Sequence, residues 1–131
     1  MNKESEKLKI LCICAKGQYR SRYLAGYLRK MGYLTKYGGI DSKRKIKKEA
    51  TQKDIDWADI IIIVRKRLVP IFRKRFNKTS KKIIVLNVVT TEKSIPRWIA
   101  WLRKINRPLF HKIWTYPKIR TAIKPYLPLK K

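Results

Sequence analysis

The stretch from Ile10 to Met31, ILCICAKGQYRSRYLAGYLRKM, limits the possible folds more than any other part of the chain. Leu8 to Cys14 is apolar with little alternation and ends in a glycine-containing turn, which predicts a strand buried on both faces. Ala15 to Tyr19 form the turn, where Gly17 supplies freedom for positive φ. From Ser21 onward, Tyr23, Leu24, Tyr27, Leu28 and Met31 recur at spacings of three and four. That periodicity predicts a helix with one apolar face, closed by Gly32 as its C′ residue. The segment therefore reads as strand, tight loop, helix.

The same alternation continues downstream. Leu34 to Tyr37 predicts a second strand, ended by Gly38 and Gly39. SKRKIKKEA reads as a charged surface connection, and Thr51 with Asp54 three residues later is a capping-box pattern for a short helix through Trp57. Ile60 to Val64 is an unbroken β-branched run, the strongest strand signal in the sequence. A helix follows with Leu68, Ile71, Phe72 and Phe76 on one face, Arg73 and Arg75 on the other, and Pro70 in its first turn. Lys82 to Leu86 predicts the fourth strand. Ser94 can cap a further helix with Pro96 in its first turn and a stripe of Ile95, Trp98, Ile99, Leu102 and Ile105 facing the sheet, stopped by Pro108. Pro117, Pro125 and Pro128 then predict only a short helix and an extended tail. Residues 1–131 thus read as one domain, with 109–131 a basic extension rich in proline and aromatics.

Four strand-helix alternations with buried-type strands predict an α/β fold. It would have three layers, a doubly wound, four-stranded parallel sheet with helices on both faces. In such sheets ligands bind beyond the carboxyl ends of the strands, which is where Cys14 lies.

Charge is the strongest compositional feature: 35 Lys plus Arg oppose 8 Asp plus Glu, a net +27. It is uneven, with 15 basic and 7 acidic residues in 1–64 (+8) against 20 and 1 in 65–131 (+19). Such a field exceeds what solubility requires and suits nucleic acid, an anionic membrane surface or phosphorylated partners alike. The longest apolar run, Ile60 to Val64, meets Arg65, Lys66 and Arg67, so no membrane span is predicted. The N-terminus lacks a secretory pattern, and the expected location is the cytoplasm. Cys12 and Cys14, two apart on one face of a strand, diverge too far to bridge and are expected as reduced thiols.

Arg20 lies six positions after Cys14, with five residues between them. A loop of that length between strand and helix can turn successive backbone N–H groups inward as an anion nest at a helix N-terminus. Arg20 can close the nest with a guanidinium that holds two phosphate oxygens. The same positive environment favours a thiolate at its base, able to attack phosphorus, and Ser21 can donate to that sulfur. Nothing in this chemistry calls for a metal or cofactor. An Arg-[Ser/Thr] pair at this offset from a given cysteine arises by chance roughly 1% of the time at this composition, so the motif carries weight.

CAKGQYRS resembles the Cys-x5-Arg-Ser signature of the low-molecular-weight protein tyrosine phosphatases. DIDWADIIIIVRKRLVPIFRKRF, followed by KKIIVLNV, resembles the downstream part of a small predicted-phosphatase subfamily of that superfamily. The resemblance covers about residues 7 to 89 and implies a phosphatase acting on phosphomonoesters of the phosphotyrosine type through a phosphocysteine intermediate. It implies Cys14 as nucleophile, Arg20 as phosphate clamp, Ser21 as thiolate stabiliser, and the N–H groups of Ala15, Lys16, Gly17, Gln18, Tyr19 and Arg20 as the cradle. Gly17 stands where relatives often carry a left-handed Asn, and Tyr19 where some carry a second, protective cysteine. The family's general acid is an aspartate beyond the fourth strand, whereas this chain has no Asp after Asp59. Asn87, Thr90 and Thr91 occupy that region, and Glu92 is the one carboxylate there. Loss of a general acid costs typically ~10² to 10⁴ in rate, least for aryl phosphates and anhydrides. The alternative is a catalytically weak or inactive module of the same fold that binds nucleic acid or phosphorylated partners through its basic surface.

Asp56 and Asp59 read as helix termination and charge balance, and His111, the single histidine, as a packing or surface residue. Trp101, Trp114 and the tail aromatics, interleaved with Arg97, Arg103, Lys104, Arg107, Lys112 and Lys118, suit base stacking or an anionic membrane surface equally.

Overall fold

The computed structural model describes residues 7–76, 79–88 and 95–130. Four strands, β1 (Lys9–Cys14), β2 (Leu34–Gly39), β3 (Ile60–Ile63) and β4 (Lys82–Val85), form one sheet in the order β2-β1-β3-β4. All neighbours are parallel: Ile10 lies opposite Thr35 and Ile60, and Ile62 opposite Ile84. The helices are α1 (Tyr19–Lys30), α2 (Gln52–Trp57), α3 (Val69–Arg75), α4 (Arg97–Ile105), α5 (Arg107–Phe110) and α6 (Tyr116–Ile123).

Each strand has period two, so its residues divide between two cores. Ile10, Cys12, Cys14, Ile60, Ile62 and Ile84 pack against Leu24, Ala25 and Leu28 of α1 and Ile119 and Ile123 of α6. Leu11, Ile13, Ile61 and Ile63 face the other way, onto Ile55 of α2 and Phe72 of α3, with Leu68 and Phe76 beside them. The expected three-layer α/β architecture is present, and burial on both faces explains why the strands read as continuous apolar runs. The chain moves from β1 outward to β2 and then crosses to β3 on the other side. The carboxyl ends of β1 and β3 therefore flank a topological switch point, the crevice where open α/β sheets bind ligands.

Local signals behaved as their chemistry dictates around α2, where the Thr51 hydroxyl accepts from Asp54 N–H at 3.3 Å and the Asp54 carboxylate from Thr51 N–H at 3.0 Å. Pro70 lies in the first turn of α3. Asp59 accepts from Lys9 N–H at 3.0 Å, at the amino end of the sheet, and Asp56 accepts from the Gln52 amide at 2.9 Å. Neither aspartate is near Cys14's end of β1.

Several expectations need correction. Gly38 and Gly39 do not end β2 but are its last two residues, paired with Ile13 and Cys14. They are glycines because a Cβ on Gly38 would lie 2.7 Å from the Ala50 backbone. Helix α1 begins at Tyr19, two residues before Ser21. The predicted Ser94 cap lies outside the described residues.

The stripe on α4 is two adjoining faces rather than one. Ile95, Ile99 and Leu102 are buried, but with Phe110 in a cluster of their own and not on the sheet. Trp98 and Ile105 lie about 90° further round the helix and are exposed. Helix α4 does stop ahead of Pro108, at Ile105, and Pro108 itself sits in the first turn of α5, capped by Asn106, whose side chain accepts from Leu109 N–H at 3.2 Å. The rest is not an extended tail. A π-helical turn (His111–Thr115), α6 and a 3-10 turn (Lys124–Tyr126) follow without a break; Pro117 and Pro125 each stand second after a change of helix type, where the hydrogen-bond pattern is already interrupted. Ile119, Ile123 and Leu129 belong to the larger core, so this segment packs on the sheet. Among the described residues no helix is long and apolar enough to cross a membrane.

Candidate active site

Cys14 is the last residue of β1 and is 3% exposed. Its Sγ lies 3.0 Å from Ser21 Oγ and accepts from Gly17 N–H at 3.1 Å. Ser21 is fully buried in the first turn of α1, so its hydroxyl is held against the sulfur by packing.

The loop between them owes its shape to the segment following β2. Ile40 N–H donates to the Cys14 carbonyl at 3.2 Å, Asp41 N–H to that of Ala15 at 3.1 Å and Lys47 N–H to that of Lys16 at 2.8 Å. These bonds fix three successive carbonyls on the side of that segment, while Gly17 N–H points to the Cys14 sulfur. Gly17 is at φ +67, and a Cβ there would meet the Lys48 carbonyl oxygen at 2.1 Å. Gly39 backs the loop so closely that its own Cβ would lie 2.4 Å from the Lys16 carbonyl carbon. The basic connection is thus the outer wall of the loop, held in turn by Arg75 of α3, which pairs with Glu49 and donates to the Ile40 carbonyl at 3.4 Å.

Arg20 is partly buried at the start of α1. Burial lowers its pKa, the Cys14 sulfur opposes that shift, and the charges of Arg65, Arg67 and Arg44 lower it further. Those three arginines come from the segments that follow β3 and β2, and so converge on the carboxyl edge of the sheet. Asp41 organises two of them: its carboxylate accepts from Arg67 Nη1 at 3.0 Å and lies 3.8 Å from Arg44 Nε. Burial alone would raise the Asp41 pKa, but the hydrogen bonds from Arg67 and Lys43 N–H and the two positive charges outweigh it and hold it below the usual carboxylate value. Asp41 is therefore ionised and is no proton donor at neutral pH.

Cys12 stays on the same face as Cys14 without bridging to it. Burial, with a smaller contribution from Cys14, drives its thiol pKa far up, so it is an inert core residue. Lys16, Gln18 and Tyr19 complete the loop. Gln18 and Tyr19 also line a groove of 470 Å³ with Tyr23, Tyr27 and Tyr116, in which Tyr23 and Tyr116 stack at 4.0 Å between centroids. Asn87 accepts from Lys66 N–H at 3.3 Å, while Thr90, Thr91 and Glu92 lie outside the described residues.

His111 is the residue that sequence reasoning placed least well. It does pack, but against the loop: its ring stacks on Tyr19 at 4.2 Å, and Nδ1 is 2.9 Å from Thr115 Oγ1. Burial, then the charges of Arg20, Arg107 and Arg103, lower its pKa to about 4 from an ordinary 6.5. The folded state thus binds fewer protons than the unfolded state between those values, and stability rises with pH across that window. Stability contributed by neutral His111 should be complete above about pH 6.5 and lost progressively toward about pH 4. Urea unfolding from pH 7 to 4.5 should show this loss, and His111→Phe should flatten the profile.

Asp41, Arg44, Arg65 and Arg67 were not singled out from the sequence. The available signal was position, since Arg65 and Arg67 follow β3 and Asp41 and Arg44 follow β2, at the carboxyl edge of the sheet.

Two solved structures share this arrangement of elements. Arginine phosphatase YwlE from Geobacillus stearothermophilus aligns with a TM-score of 0.55 and 13% identity, over 95% of this chain and 98% of that one. A YwlE mutant from Bacillus subtilis gives 0.57 and 11%, over 91% and 98%. The chain has the low-molecular-weight phosphatase fold. No protein-family model matches the sequence, and comparison with curated proteins gives no match. The low-molecular-weight phosphatase fold accounts for the sheet order, for β1 leading into α1, and for helices on both faces.

Proposed function

We propose that this protein is a cysteine-dependent phosphatase that works through a phosphocysteine intermediate. The observation that carries this reading is the Cys14 sulfur, contacted by Ser21 Oγ at 3.0 Å and Gly17 N–H at 3.1 Å at the base of the loop. Likeness in fold to the YwlE arginine phosphatase supports it. In the first step Cys14 attacks phosphorus, an S–P bond forms and the P–O bond to the leaving group breaks. Arg20 and the N–H groups of residues 15 to 20 bind the equatorial oxygens, where charge accumulates. Water then hydrolyses the S–P bond, releasing phosphate and restoring the sulfur, with Ser21 stabilising it as a leaving group.

Substrate class follows from what surrounds the loop. Asp41 is held ionised and supplies no proton, and Glu92 remains a proposed weak donor. A leaving group that departs without protonation fits best, which favours an aryl ester such as phosphotyrosine. Arg44, Arg65 and Arg67 favour substrates with further negative charge over those whose leaving group becomes a guanidinium. Hydrolysis of para-nitrophenyl phosphate and phosphotyrosyl peptides should therefore exceed that of an alkyl phosphate by about 10²-fold or more. A phosphoarginyl peptide should be the poorer peptide substrate. Equal rates on aryl and alkyl esters would contradict the leaving-group argument, and loss of the alkyl rate in Glu92→Gln would assign the proton to that residue.

The ionised state of Asp41 also favours a second reading, a phosphate-binding module without turnover. Tight phosphate binding with no hydrolysis of the aryl ester would select it.

A further inference from the structure

Helix α4 carries a face that the fold does not use. Trp98, Trp101 and Ile105 are 63%, 60% and 59% exposed. At 100° per residue these three positions fall within about 60° of one another, a single side of the helix. The buried side, with Ile95, Ile99 and Leu102, lies about 90° away and closes against Phe110. A further quarter turn round stand Arg97 and Lys104, both exposed, and the next segment adds exposed Arg107 and Lys112. Leu109 and Ile113, also exposed, follow at 38% and 44%. From Ile60 to the end of the sequence the only acidic residue is Glu92.

Three kinds of occupant compete for such a face. A second copy of the chain would bring another +27 against the same cationic rim, which opposes self-association. Single-stranded nucleic acid stacks on aromatics interleaved with cations, but here the two tryptophans adjoin Ile105, which offers no π surface, and the cations stand to the side. An anionic bilayer matches both parts: large apolar side chains enter the acyl boundary, tryptophan prefers the headgroup level, and flanking Arg and Lys meet anionic headgroups.

We infer that α4 docks this protein peripherally onto anionic phospholipid bilayers, inserting Trp98, Trp101 and Ile105 with Arg97, Lys104 and Arg107 at the headgroups. The face is coupled to the Cys14 loop by packing. The buried side of α4 rests on Phe110, Phe110 meets His111 edge-on at 5.0 Å, and His111 stacks on Tyr19 of the loop. Docking through α4 is independent of whether the loop turns over substrate.

The test is sedimentation of the full chain with phosphatidylcholine vesicles, with and without phosphatidylserine, alongside tryptophan fluorescence. Binding is expected only with phosphatidylserine, with a blue shift, and Trp98→Ala/Trp101→Ala should weaken it by about tenfold or more. Far-UV circular dichroism and the rate on an aryl phosphate should not change in that variant, since neither tryptophan touches the loop. A single-stranded RNA competitor separates the remaining occupant. Absence of vesicle binding would overturn the inference. So would vesicle binding unaffected by the double substitution, or a variant that loses RNA binding while keeping vesicle binding.

Discussion

Cys14→Ser is expected to lower hydrolysis of an aryl phosphate by about 10⁴-fold or more while leaving phosphate bound. The two halves of that outcome have separate causes. A serine hydroxyl fits the space of the thiol, and Gly17 N–H and Ser21 Oγ, at 3.1 and 3.0 Å from the sulfur, can both bond to oxygen. The loop carbonyls stay tied to Ile40, Asp41 and Lys47, so the loop keeps its shape. The hydroxyl is not ionised at neutral pH, however, and among the described residues no base contacts this position to make it a nucleophile. Steady-state rates and calorimetric titration with phosphate check the two halves independently. A serine variant as active as the parent would remove Cys14 from the mechanism.

Gly39→Ala should be nearly as damaging to the site although it replaces no residue of the loop itself. A Cβ at this position would sit 2.4 Å from Lys16 C, 2.5 Å from Gly17 N and 2.6 Å from Ala15 O. All three are backbone atoms of the loop and cannot rotate away as a side chain would. The expected cost is about 2–4 kcal/mol in stability, typical of overpacking against backbone. Displacing the loop should also weaken phosphate binding. Gly26→Ala is the control: in α1, with nothing within 4 Å of the added carbon, it should be neutral or stabilising by up to about 1 kcal/mol. Urea midpoints and phosphate titrations of both variants decide the matter.

The contrast between these two glycines shows what was legible in the sequence. Strand β1, the loop and α1 could be read because their signals are local: an apolar run, Gly17 and a helical period. The candidate nucleophile and clamp were legible for the same reason, since Cys14 and Arg20 lie on one continuous segment. Gly39 looked like a strand end because the constraint on it comes from residues more than twenty positions earlier. Asp41, Arg65 and Arg67 were silent for a related reason: nothing in a lysine- and arginine-rich sequence marks which cations converge until the strand order is known. The prolines misled in the opposite direction. Pro117 and Pro125 punctuate the sequence as breakers, yet each stands second after a change of helix type, and α6 supplies part of the main core. His111 looked solitary because its partner Tyr19 is far away in sequence.

The central claim is that Cys14 takes the phosphoryl group. Acid quenching during turnover of para-nitrophenyl phosphate, followed by mass spectrometry of the peptide containing Cys14, tests it most directly. The proposed mechanism predicts a phosphorylated Cys14 that appears on the timescale of the first turnover and is absent from Cys14→Ser. Sustained hydrolysis with Cys14 unmodified at every time point would contradict it.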